Sequence, residues 1–348
     1  MRVLACRTDN DGDVLLTGPA VRALAASAEV DVLAAPAGAG AARLLPGVRD
    51  VLVLDPPWSG YAPPAVDAAA LDAFVAEVRG RAYDAAVVFT SFHQSPLPLA
   101  LLLRLAGVPR LAAASEDYPG SLLDVRHRRE APGLPERHEV EAMLDLAGAA
   151  GFALPDGDDG RLRVRDDLPD ARAALGGALP AGPYVVVHPG ASVPARAPLP
   201  GQAAEAVAQL AAEGRAVVVT GGPGERELTA RVAGRRGTDL GGRTDLPLLA
   251  AVLAGADAVV VGNTGPAHLA AAVGTPVVSW FAPVVPAARW APYGVARVVL
   301  GDQAAACAGT RARECPVPGH PCLAGVDTPR LVAAVDALAP IPTPGGAP

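Results

Sequence analysis

At 348 residues the chain is too long for one ordinary hydrophobic core and suits two domains; with 51% apolar and 19% charged residues it can bury both. A net charge of −7 argues against nucleic acid as a partner, and no apolar run approaches the roughly 20 residues that cross a bilayer. MRVLACR runs straight into a strand and then polar DNDGD, so no signal peptide is expected. Four cysteines in a chain this long make no disulfide framework, so a cytoplasmic protein is expected.

The first strand, Arg2–Cys6, ends in Arg7-Thr8-Asp9-Asn10-Asp11-Gly12-Asp13, and a helix follows at Val14–Ala28. Asp13 therefore falls at or near the helix N-cap, at the carboxyl edge of the strand. It reads either as a plain cap or as a general base kept ionised by the helix start. DNDGD also evokes a metal-binding Asp-x-Asp, but it lacks the sixth-position Gly and the distal Glu of a calcium loop, and a strand precedes it. Strands at Val30–Ala34, Val51–Leu54, Ala85–Phe89 and Arg110–Ala113 alternate with helices near Val66–Arg79 and Pro96–Leu105. Arg126, Arg128 and Arg129 beside His127 read as a solvated loop or as a contact for an anionic acceptor.

Residues 155–183 are rich in Asp, Gly and Pro and read as an interdomain linker with one strand, Leu162–Val164. The pattern restarts with strands at Tyr184–His188, Ala216–Thr220, Ala258–Val261, Pro276–Phe281 and Arg297–Leu300. Helices fall at Gln202–Glu213, Glu225–Ala233, Leu246–Ala254 and Ala267–Val273. Short apolar strands divided by helices mean parallel sheets covered on both faces.

Three strand-to-helix junctions in this half suit an anion. Pro189-Gly190-Ala191-Ser192 can expose backbone N–H groups and the Ser192 hydroxyl, and Arg196 follows with a guanidinium suited to pyrophosphate. Thr220-Gly221-Gly222 allows close backbone approach, with Glu225 either accepting ribose hydroxyls or capping the next helix. Asn263-Thr264-Gly265-Pro266 opens a helix whose first turn carries His268, a packing residue or a phosphate or sugar contact. None of these is a Walker A loop, since GxxxxGK[ST] is absent and the chain has no lysine. The late Cys307, Cys315 and Cys322, with His320, lack the close C-x2–4-C pairs of zinc sites and read as buried or free thiols.

Taken in order, GDVLLTGPAVRAL, HPGAS with Arg196, VVVTGGPGERE, DLGGRTDLPLLAAVLAGAD and TGPAHLAAAVGTPVV resemble glycosyltransferase family nine, the ADP-heptose-using heptosyltransferases of lipopolysaccharide core assembly. The terminal C-x7-C-x6-C also resembles a segment of one heptosyltransferase branch. The resemblance implies an α/β fold of the GT-B kind, with two Rossmann-like doubly wound domains facing a cleft. Residues 1–165 would bind the acceptor, residues 180–339 the nucleotide sugar, and 340–348 would form a disordered tail. It implies inverting, metal-independent transfer with Asp13 as base; apart from the resemblance, Asp11, Gly12 and Arg126 are the residues expected toward the acceptor. Ser192, Arg196, Thr220, Gly221, Gly222, Glu225, Asn263, Thr264, Gly265, Pro266 and His268 would hold the donor.

Two departures from the family pattern stand out. Asn263 replaces the usual Asp before Thr-Gly, which touches the transferred sugar, and Arg196-Ala197-Pro198 replaces Lys/Arg-Trp-Pro. No cofactor and no metal are expected. The expected partners are an ADP-sugar donor and a glycan or secondary-metabolite acceptor; the protein is expected to be a monomer, with peripheral membrane association open. Two other readings remain: a GT-B nucleotide-sugar epimerase, which turns over donor without acceptor, and a non-catalytic two-domain sugar- or nucleotide-binding protein.

Overall fold

The computed structural model describes residues 1–60, 63–129 and 136–341. The chain forms two compact units, Met1–Arg165 and Asp166–Pro348.

In the first unit the order is β1 (Arg2–Arg7), α1 (Asp11–Ala25), β2 (Glu29–Ala34), α2 (Ala39–Leu44), β3 (Val48–Val53) and α3 (Ala68–Arg81). It continues with β4 (Ala85–Val88), α4 (Leu97–Leu105), β5 (Leu111–Ala114), β6 (Val125–His127) and α5 (Glu139–Ala149). The strands form one parallel sheet in the order β3-β2-β1-β4-β5-β6. The central strands are apolar on both sides because helices cover both faces; β4 and β5 are buried throughout.

The second unit runs α6 (Ala171–Ala174), β7 (Tyr184–His188), α7 (Pro200–Ala212), β8 (Ala216–Val219), α8 (Arg226–Ala233), β9 (Gly237–Asp239) and α9 (Leu246–Ala254). Then come β10 (Ala258–Gly262), α10 (Gly265–Ala272), β11 (Val277–Trp280), α11 (Ala287–Trp290), β12 (Arg297–Leu300), α12 (Pro321–Ala324) and α13 (Thr328–Leu338). Its parallel sheet, β12-β11-β10-β7-β8-β9, repeats the topology of the first unit. In both sheets the strand order reverses beside the unit's first strand, between β1 and β4 and between β7 and β10. Open α/β sheets hold ligands outside the strand carboxyl ends at such a reversal.

Several expectations are corrected. Leu162–Val164 is not a strand: Leu162 and Val164 are buried, and the neighbouring Arg165 amide donates to the Leu44 carbonyl at 2.8 Å. The alternation reflects one apolar side laid on the first unit, without a ladder partner. Within the stretch read as a linker, residues 155–165 are tied to the first unit. Arg22 forks onto Asp158 (Nε–Oδ2 2.6 Å, Nη2–Oδ1 2.9 Å) and also donates to the Arg161 carbonyl. Of the tail expected at 340–348, residues 342–348 lie outside the described residues. No helix of the described residues is long and apolar enough to cross a membrane.

Candidate functional site

At the carboxyl edge of the first sheet, the helix cap is Asn10, not Asp13. The Asn10 side-chain oxygen accepts from the Gly12 amide at 3.1 Å and the Asp13 amide at 3.4 Å. A short amide side chain reaches two open N–H groups of the first turn, which leaves the Asp13 carboxylate to other partners. Arg7, almost wholly buried at the end of β1, donates to Asp13 Oδ1 at 3.2 Å and to Ser91 Oγ at 2.8 Å, and pairs with Asp9 Oδ2 at 2.8 Å. The Asp13 side chain keeps 18% of its surface in solvent. Gln94 Nε2 donates to Asp9 Oδ1 at 2.6 Å. Burial pushes the Asp9 carboxyl above the usual carboxylate range against the pull of Arg7, with the charge of Asp13 adding to the rise. The sequence reading assigned no role to Arg7, Asp9, Ser91 or Gln94. A basic residue closing a strand in front of an acid-rich turn is the signal that could have found Arg7.

The three acceptor candidates have local partners. Asp11 Oδ1 accepts from the Ala41 amide at 2.9 Å, in the first turn of α2, and burial raises its pKa. Gly12 is buried, with its N–H on Asn10. Arg126 lies on an edge strand, β6, instead of a loop; its guanidinium donates to the carbonyls of Ser115 at 3.0 Å and Glu116 at 2.6 Å. Nearby a cavity of about 190 Å³ is lined by Phe92, His93, Gln94, Glu116, Asp117 and Arg129. Arg129 pairs with the buried Glu139 at 3.4 Å and donates to the Thr90 carbonyl.

The second sheet brings the other candidates to the β7/β10 reversal. After β7, Ser192 is exposed, and a single 3₁₀ turn, Pro194–Arg196, delivers Arg196 half-buried. The turn seats on the end of β10: a Cβ at position 262 would stand 2.5 Å from the Arg196 carbonyl oxygen, so Gly262 is required by close approach. His268, on α10, is buried, and burial followed by the charge of Arg196 pushes its pKa down to about 4, so the ring is neutral at pH 7. His268 Nδ1 and Arg196 Nε are buried without a hydrogen-bond partner among the described residues. Thr264, at the N-cap of α10, makes no side-chain capping bond and, with Gly265 and Pro266, is half-exposed.

The other donor candidates have local partners. Thr220 is fully buried, its hydroxyl 3.0 Å from His188 Nδ1. Glu225 Oε2 accepts from the Gly222 amide at 2.7 Å, closing the 3₁₀ turn Pro223–Glu225; its carboxyl fills the space above Gly190 and Gly221. Asn263 is buried and clipped to one residue: its Nδ2 donates to the Ala282 carbonyl at 3.1 Å, and its Oδ1 accepts from the Ala282 amide at 3.2 Å.

The late cysteines are free thiols, with Cys307 and Cys322 in the core and Cys315 partly exposed. Burial pushes the Cys322 thiol up to about 12, with Cys307 and Cys315 adding to the rise. Among the described residues no three His, Cys, Asp or Glu side chains are grouped to hold a metal ion.

Two doubly wound sheets with polar junctions at their reversals agree with the comparisons to known proteins. The model of glycosyltransferase family 9 (heptosyltransferase) matches residues 72–320. A lipopolysaccharide heptosyltransferase 1 of Pseudomonas aeruginosa is 33% identical over 215 residues, covering 60% of this chain and 58% of that protein. The matched stretch thus spans just over half of that relative's length. The solved structure of E. coli ADP-heptose lipopolysaccharide heptosyltransferase II superposes with a TM-score of 0.74 at 21% identity, covering 97% of this chain and 98% of the other. An E. coli heptosyltransferase solved with ADP-2-deoxy-2-fluoro heptose gives a TM-score of 0.67 at 22% identity, covering 97% and 99%. The fold is GT-B, and with the family match running from α3 to the histidine before α12, the chain belongs to glycosyltransferase family 9, the heptosyltransferases.

Proposed function

We propose that the protein moves a heptose from an ADP-linked donor to an acceptor hydroxyl, with inversion and without a divalent metal. The second unit holds the donor and the first supplies the base. The observation that carries this is the meeting of Arg196, the neutral His268 ring and the open start of α10 around Gly262. A guanidinium and helix-start N–H groups stabilise a departing diphosphate, the work a metal does in other transferases. The E. coli relative solved with an ADP-heptose analogue supports the same donor class.

In this mechanism Asp13 takes the acceptor's proton as the new glycosidic bond forms, one in-line displacement inverts the anomeric carbon, and ADP leaves toward Arg196. Arg7 holds the Asp13 carboxylate in place by its bond at 3.2 Å. Asp13→Asn keeps an oxygen for Arg7, and Arg7 keeps Asp9 and Ser91, so folding should survive. Transfer from ADP-heptose should fall roughly 10²–10⁴-fold while ADP affinity stays near wild type. Wild-type transfer by the variant would remove Asp13 as base. Donor turnover without acceptor would point to an epimerase, and loss of transfer in EDTA with recovery in magnesium would overturn metal independence.

A further inference from the structure

We infer that His320 is a positioning residue for Arg196, acting through the backbone of Ala195. The inference rests on the reading that Arg196 meets the donor diphosphate. The turn that carries Arg196 is only three residues long, Pro194–Arg196, and has no side-chain cap. One turn of 3₁₀ helix does not hold itself in water; its geometry is set by what grips it.

The grip comes from the segment between β12 and α13. The Ala195 amide donates to the Arg313 carbonyl at 2.8 Å, and the Ala195 carbonyl oxygen lies 3.1 Å from His320 Nε2. A carbonyl only accepts, so Nε2 carries the hydrogen. Both backbone polar groups of Ala195, itself 1% exposed, are thus taken by one loop, while the next carbonyl, that of Arg196, presses on Gly262.

His320 itself is anchored for this task. It is buried and sits at φ +54°, in the left-handed region that side-chain-bearing residues adopt at a cost. Its amide donates to the Val317 carbonyl at 3.2 Å, and its carbonyl accepts from the Leu323 and Ala324 amides at 3.1 and 2.9 Å. A glycine would satisfy that backbone at lower cost, so what the imidazole adds is its bond to Ala195. The loop is fixed behind it by the buried Cys307 and Cys322, by the Asp302 amide on the Cys322 carbonyl at 2.9 Å, and by Gln202 on the Leu323 carbonyl at 3.0 Å. Core packing is thereby transmitted through one ring to the residue preceding the arginine.

The test uses the full chain with His320→Ala, with His320→Asn, which suits the left-handed backbone but is too short to reach, and with His320→Gln, which restores an N–H donor. Calorimetry with ADP and with adenosine should show ADP bound roughly tenfold more weakly by the first two variants, with adenosine unchanged and much of the loss recovered by Gln. His320→Ala combined with Arg196→Ala should bind ADP no more weakly than Arg196→Ala alone. Wild-type ADP affinity in folded His320→Asn, or additive losses in the double variant, would overturn the inference. A second readout is independent of the donor: the NMR titration of His268, held low in part by the Arg196 charge, should move up toward the ordinary histidine value in His320→Asn. If Arg196→Ala leaves ADP binding unchanged, the donor reading fails. The His268 titration then decides alone: an upward shift in His320→Asn supports positioning, and an unmoved one refutes it.

Discussion

Asn263 gives one amide hydrogen to the Ala282 carbonyl and takes one from the Ala282 amide, in a site only 5% exposed. The family resemblance leads to the expectation of an aspartate here. Asn263→Asp would turn the donor into a second oxygen facing a carbonyl at 3.1 Å. Leaving that carbonyl unmet should cost about 1–3 kcal/mol and lower Tm by roughly 5 °C, read by thermal unfolding of both proteins at pH 7. An unchanged Tm would mean that the clip does not hold the loop. The family resemblance implies a sugar contact at this position; residue identity is visible in a sequence, whereas the clip to Ala282 is not. The same limit applies at Asp13. That a polar run precedes α1 was legible, but Asn and Asp cap almost equally well, and the distant partners Arg7 and Ala41 sort Asn10, Asp11 and Asp13 into cap, brace and part-exposed carboxylate held by Arg7. Arg196 was legible as a cation at a strand edge, whereas its supports, Gly262 and His320, come from residues far along the chain.

The junctions after β7 and β8 are built as a pair, with the Glu225 carboxyl lying where a side chain on Gly190 would go. A Cβ at position 190 would stand 1.8 Å from Glu225 Oε1, so Gly190→Ala must expel a carboxylate that accepts from the Gly222 amide at 2.7 Å. The expected loss is about 1 kcal/mol, the size of a helix cap. In a Glu225→Ala background the same change should cost much less, giving a coupling of about 1 kcal/mol in urea unfolding. Additive effects would mean that the two loops do not share that space. Elements were legible where they are long and buried: the apolar run of β1 and the valine-rich runs of β4, β7, β8 and β10 announce themselves. The edge strands β6 and β9 are three residues each, with no buried run to mark them. α5 carries an ordinary signal, with Val140, Met143 and Ala147 on one buried side, and was missed beside the segment rich in Arg and Pro.

Both sheets are doubly wound in the same order; the alternation of strands and helices made parallel, helix-covered sheets legible, whereas the strand order follows from contacts that the sequence does not display. What ties residues 155–165 to the first unit was not legible, because they are polar and Gly-rich, and their anchor, Arg22, lies 136 positions from Asp158. That anchor is a forked ion pair with both side chains largely buried, and it ties the segment back onto α1. The Arg22 hydrogen bonds, joined by the Gly160 amide, hold the Asp158 carboxyl down to about 2. A carboxyl lowered in the folded state stabilises it fully above the unfolded value of about 4, and that contribution is lost as pH falls from there toward about 2. Asp158→Asn should therefore cost about 2 kcal/mol at pH 7, the value of a charge-assisted bond, and progressively less below pH 4. Hydrogen exchange of α1 peptides in urea, from pH 6 down to pH 3, follows the first unit separately, since two units need not unfold together. Wild type and Asp158→Asn should converge toward the acid end. A gap that stayed constant across this range would mean that the pair's charge contributes nothing and that the segment is held by Leu162 and Val164 alone.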